Sequence, residues 1–132
     1  MIAKGTFEIT MNADPPYDLV EGVSLGRVRI DKTFSGALAA TSQVHMIGAR
    51  TPVQGSAGYV AIERVTGSLS GKRGTFVLQH SGTMRRGAAS LSVSVVPDSG
   101  TGELTGLTGR MDIQIVDGQH FYELDFELGA GG

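Results

Sequence analysis

Glu63 is the carboxylate of this chain best placed to do chemistry. It stands mid-way through Tyr59-Val60-Ala61-Ile62-Glu63-Arg64-Val65, in phase with Tyr59, Ala61 and Val65 under the two-residue period of a strand. If that face lines an interior, burial raises the carboxyl pKa, as a general acid or base requires, and the same group could orient a polar ligand. If Val60 and Ile62 point inward instead, Glu63 is a solvated surface charge. Lys32 interrupts an apolar face between Ile30 and Phe34. A buried lysine wants a partner, so it is a counter-ion for Glu63, a ligand anchor, or a rim residue whose amine reaches water along its stem.

His80 closes Phe76-Val77-Leu78-Gln79-His80, in phase with Phe76 and Leu78. A neutral imidazole there could hydrogen-bond a ligand or pass a proton; a satisfied core or rim histidine is the plainer alternative. Gln79 and Tyr59 are candidates for the polar lining of a mostly apolar cavity. The candidate ligand-binding set is therefore Lys32, Tyr59, Glu63, Gln79 and His80, with Glu63 the candidate catalytic group. His45 and His120 lie on other strands with no spacing that suggests a metal, and no metal or cofactor is expected. The Ser99-Gly100-Thr101-Gly102 run lacks the Gly-Lys-Ser/Thr of a phosphate loop, and no Gly-x-Ser-x-Gly elbow is present.

The elements that must position these groups are short alternating strands. Phe7, Ile9 and Met11 alternate with Glu8 and Thr10, and the pattern recurs over 25–34, 37–47, 59–69, 75–81, 89–96, 111–116 and 120–128. The connections read as turns: Ser35-Gly36, 48–58, 70–74, the basic stretch 82–87, and Asp117-Gly118, a strong hairpin signal. Residues 12–22, with Pro15-Pro16, read as the longest irregular segment and a possible lid. The corner 97–109 alternates glycines with small hydroxyl residues and places Leu104 and Leu107 against something apolar. No window carries an amphipathic helix. Hairpin-linked strands without covering helices favour an antiparallel sheet closed on itself, an all-β barrel of about eight strands whose interior is wide enough for side chains or one small ligand.

Composition narrows the class. The chain has 132 residues, 20 of them glycine, and suits one domain over 1–132, with 129–132 expected as a loose tail. Eleven Lys and Arg face 13 Asp and Glu, with no basic stripe, so no nucleic-acid partner is expected. No run approaches the roughly 20 apolar residues of a membrane-spanning helix, and no membrane partner is expected. With no cysteine and no signal-like N-terminal run, a cytoplasmic location is the expectation.

Residues 32–38 (Lys-Thr-Phe-Ser-Gly-Ala-Leu), 58–67 (Gly-Tyr-Val-Ala-Ile-Glu-Arg-Val-Thr-Gly), 71–80 (Gly-Lys-Arg-Gly-Thr-Phe-Val-Leu-Gln-His) and the corner 99–109 together carry a resemblance. The chain resembles a bacterial domain-of-unknown-function family of allene-oxide-cyclase-like barrels, and its glycine corner is similar to that of allene oxide cyclase and dirigent barrels. The resemblance implies an antiparallel barrel with a possible internal cavity; it implies no activity and carries over no catalytic residue.

Three functions fit: a module binding an apolar or amphipathic small molecule in its lumen or mouth, a cyclase- or isomerase-like enzyme that imposes a conformation on its substrate with Glu63 assisting, or a structural barrel packed solid. A lumen carboxylate without a cation nearby favours chemistry; a Glu63 neutralised by Lys32 favours binding or structure. The resemblance also implies self-association, as related barrels commonly associate and outward apolar residues such as Val60, Ile62 and Val77 would then be covered; a homo-oligomer is expected, with a dimer favoured.

Overall fold

The structure, a computed structural model, describes residues 1–129; the remainder of the expected tail, 130–132, lies outside the described residues. The strands are β1 (Ile2–Ala13), β2 (Asp18–Val20), β3 (Val23–Gly36), β4 (Leu38–Arg50), β5 (Ala57–Leu69), β6 (Lys72–Arg85), β7 (Ala88–Val95), β8 (Leu107–Val116) and β9 (Gln119–Leu128). Strands β2 to β9 pair antiparallel in sequence order, and β1 pairs with both β9 and β3, so eight strands close into a barrel to which β2 adds a short flap on β3. Among the described residues the only helical piece is a single 3-10 turn, Gly102–Leu104.

Closure is carried by β1. Its first half lies on β9, from Ile2 opposite Asp125 to Phe7 opposite His120, and its second half on β3, from Gly5 opposite Gly36 to Ala13 opposite Val28. Alternation then fixes the inside. Phe7, Phe34, Leu38, Val65, Leu69, Phe76, Leu78, Leu107, Leu124 and Phe126 all point inward and are buried.

The two ends of the barrel differ. At one end Leu104 plugs the interior from the glycine corner, which runs along β6 where β7 stops. Thr101 donates its amide to Thr75 O at 2.8 Å, and Thr75 returns its own amide to Thr101 Oγ1 at 3.0 Å. The Thr101 carbonyl comes so close to Gly74 that no Cβ fits there. Tyr122 closes the same end by donating its hydroxyl to Ser35 O at 3.0 Å and accepting from the Leu38 amide at 2.9 Å. Toward the other end β7 and β8 share no pairing beyond Ser94 opposite Arg110. The inward-phased residues of this end stay half exposed: Met11 56%, Met84 43%, Leu91 42% and Ile115 65%.

Several expected boundaries move. The stretches 48–58 and 82–87, expected as loops, are shortened by strand: β4 runs to Arg50 and β5 begins at Ala57, leaving 51–56 as the loop, and β6 runs to Arg85, with Met84 opposite Ala57. Glycines such as Gly48, Gly58 and Gly82 are carried in the ladder by their neighbours' pairing, which local composition does not reveal. The expected lid over 12–22 is tied down instead. Asp14 donates to Arg27 O at 3.0 Å and Tyr17 to Leu25 O at 2.9 Å, one bond on each side of the two prolines, which have no amide to give. The Arg27 guanidinium sits 5.0 Å from the Tyr17 ring centre.

Candidate functional site

Four polar residues share the barrel interior: Lys32 on β3, Ser42 on β4, Glu63 on β5 and His80 on β6, all buried. Each occupies an inward phase among apolar neighbours, so strand alternation alone turns it inside. They form a layer. On the plugged side lies the main core, including Phe7, Phe34, Val65 and Leu78; on the open side lies a second small cluster of Ile30, Val44 and Ala61, with Val28, Met46 and Tyr59 packed on it.

Glu63, with no exposed surface, is the centre. Its Oε1 accepts from Lys32 Nζ at 3.3 Å and His80 Nε2 at 2.7 Å, and its Oε2 accepts from the Ser42 hydroxyl. Burial taken alone raises the carboxyl pKa; the His80 hydrogen bond, the Lys32 charge and the Ser42 hydrogen bond outweigh it, and the pKa falls below its ordinary value. Glu63 is therefore an ionised acceptor, so the proton of the 2.7 Å contact belongs to His80 Nε2. Lys32 also lays its ammonium 4.7 Å from the Phe7 ring centre and 5.8 Å from that of Phe34, on the plugged side. Among the described residues no buried side-chain nitrogen or oxygen lacks a partner.

The expected site residues separate accordingly. Lys32, Glu63 and His80 converge. Tyr59 shares their inner face nearer the open rim, half-buried, its ring over the Cα of Gly82, and burial raises its hydroxyl pKa. Gln79 does not belong: it lies one residue out of phase with His80 and is exposed on the outer wall. Ser42 was missed as a site residue. The available signal was a hydroxyl in phase with Leu38, Ala40, Val44 and Met46, where an unpartnered polar group would be costly. The expectation of a raised Glu63 pKa is corrected, because the two nitrogen donors and one hydroxyl overcome desolvation.

The histidines occupy separate places. His45 is on the outer wall, 3.2 Å from Gln43 Oε1, and His120 stacks on Phe7 with ring centres 5.0 Å apart. A hollow of about 880 Å³ is also external: it crosses β3 to β6 past Arg29, His45, Ile62 and Gln79. Ile47, Val60 and Ile62 stand half exposed along this wall. Val77, by contrast, is partly covered, because Val96 donates to its carbonyl at 2.8 Å and it donates to Ser99 Oγ at 3.0 Å. A smaller hollow of about 440 Å³ opens at the rim beside Val28, Met46 and Tyr59.

Residues 3–126 match the family described as a protein of unknown function, DUF3224. A crystal structure of a protein with unknown function from that family, from Shewanella oneidensis MR-1, superposes with a TM-score of 0.93 at 50% identity, covering 98% of each chain. No curated protein matches the sequence.

Proposed function

The chain belongs to the DUF3224 family, and on that footing we propose that it binds one apolar or amphipathic small molecule at the open end of its barrel, above the Lys32, Ser42, Glu63 and His80 layer. The observation that carries this reading is the asymmetry of the ends. Leu38, Leu69, Leu104 and Leu107 seal one end at 1% exposure each, while Met11, Met84, Leu91 and Ile115 leave inward-phased apolar surface open at the other. A soluble barrel gains by covering such surface, at roughly 25 cal/mol per Å². A polar layer beneath an apolar mouth is the arrangement of a small-molecule site, a few fixed polar groups orienting a mainly apolar guest. The neutralised carboxylate supports binding over acid–base work by Glu63: a group held ionised by two nitrogen donors and a hydroxyl has little basicity left for a substrate.

The test is a fluorescence titration with the apolar dye N-phenylnaphthylamine. The native chain brightens the dye saturably. Leu91→Glu or Ile115→Glu at the rim weakens binding by roughly tenfold or more, the equivalent of about 1.4 kcal/mol, while Ile62→Glu on the outer wall leaves it unchanged. The reverse order would move the site to the outer hollow. No dye binding at all would favour a structural barrel.

A further inference from the structure

We propose that His80 is the group which the head of the ligand touches, through Nδ1, and that the site selects an uncharged hydrogen-bond donor, an alcohol hydroxyl at the end of an apolar chain. This rests on the reading that the open end takes a small molecule. The other members of the layer are already committed. Both Glu63 oxygens accept from protein donors and the residue has no exposed surface. Lys32 Nζ is engaged by Glu63 and turned toward Phe7 and Phe34, members of the core on the plugged side. Ser42 gives its hydroxyl proton to Glu63.

Within the layer, His80 alone has a side-chain nitrogen or oxygen with no hydrogen-bond partner. Its Nε2 donates to Glu63, and Nδ1 has no hydrogen-bond partner among the described residues. Because no buried side-chain nitrogen or oxygen there is left unpartnered, Nδ1 must touch accessible space even though the side chain as a whole is 5% exposed. Small residues border it on the way to the rim: Ala61 lies directly opposite on β5, and Gly82 follows two positions on, under the Tyr59 ring.

The tautomer sets the chemistry. In the ring form that carries a single proton, that proton is held on Nε2 by the ionised carboxylate, and Nδ1 presents a lone pair, an acceptor only. In that form the layer is charge-balanced, Glu63 against Lys32. A carboxylate head would set lone pair against lone pair. An ammonium head would bring an unbalanced charge into an interior that has no second anion among its buried residues. A hydroxyl meets neither penalty.

The experiment displaces N-phenylnaphthylamine with octanol, methyl octyl ether, octanoate and octylamine at about pH 8, above the ordinary imidazole range. Octanol should displace the dye at roughly three- to tenfold lower concentration than the ether, the worth of one neutral hydrogen bond, and ahead of both charged ligands. In His80→Phe the alcohol and ether should become equal. If that variant fails to fold, the native protein supplies the same readout: the imidazole Nδ1 nitrogen-15 resonance should shift with octanol and stay put with the ether. Equal displacement by alcohol and ether, or stronger displacement by octanoate, overturns the head-group assignment while leaving the open-end site in place. Failure of the dye to bind removes both.

Discussion

His80 Nε2 lies 2.7 Å from Glu63 Oε1, yet the two residues are not cross-strand partners: Glu63 faces Leu78 and His80 faces Ala61. The contact is diagonal, and so is that of Ser42 with Glu63, since Ser42 pairs with Val65 and Glu63 with Val44. Diagonal neighbours come within reach of long side chains, and the barrel uses two such steps to gather four strands around one carboxylate. Lys32, the direct partner of Ser42, completes the group.

Breaking this group from one side should be expensive, and removing both charges much less so. Glu63→Leu leaves the buried Lys32 ammonium uncompensated and should cost about 3–5 kcal/mol. Lys32→Met alone should cost somewhat less, because the carboxylate keeps His80 and Ser42. The double variant should recover about 1–3 kcal/mol of the summed loss, the usual range for residues in contact. Urea unfolding of all four proteins measures the coupling; simple additivity would mean that the ion pair carries no interaction energy.

Acid should weaken the protein through Glu63 in a definite direction. Its folded pKa is depressed from the model-peptide value of 4.5, so the native state holds fewer protons than the unfolded state in the interval between the two. The stabilisation is complete above that ordinary value and is lost as pH falls through the folded one. Between about pH 5 and about pH 3 the native chain should therefore lose stability more steeply than Glu63→Gln, whose residue does not titrate. Parallel curves in urea titrations at a series of pH values would contradict the depressed pKa.

Ser42→Ala removes the donor to Glu63 Oε2 and leaves that oxygen buried with no partner on its side. The expected cost is about 1–3 kcal/mol, as for other unsatisfied buried acceptors. Ser42→Thr, which keeps a hydroxyl at the price of one methyl group, should recover part of it. Thermal unfolding of the three proteins side by side checks the order.

Much of this was legible in the alternation of residues. The phase of Tyr59, Ala61, Glu63 and Val65 turns the carboxylate inward, and the same rule applied to Leu78 and His80 places Gln79 outside. The ion pair was open to reasoning from the interruption of the β3 face by Lys32. Three features were not. The lowered Glu63 pKa depends on which donors arrive from three other strands, a property of barrel register rather than of any local pattern. The short β2 strand, three residues with none buried, has too few positions to show a period and exists because the Glu21-Gly22 turn, both residues at positive φ, folds it onto β3. Closure by β1 on both β3 and β9 is equally a long-range event, prepared by hairpin-linked neighbours but written in no single window.

Two glycines of β6 should respond differently to the same substitution. At Gly74 an added Cβ would collide with the backbone carbonyl of Thr101, which is pinned because the Thr101 amide donates to Thr75 O and its Oγ1 accepts from the Thr75 amide. Nothing soft is available to move, and Gly74→Ala should cost about 3 kcal/mol or more by dislodging the corner that seats Leu104. At Gly82 the same Cβ would come 2.5 Å from Cε1 of the Tyr59 ring, a side chain at the half-open rim that can swing aside. Gly82→Ala should cost about 1 kcal/mol and change the shape of the mouth, so its effect on dye binding should exceed its effect on stability. Chemical unfolding paired with the N-phenylnaphthylamine titration separates the two outcomes: a Gly82→Ala protein with unaltered dye affinity would show that Tyr59 is no part of the wall.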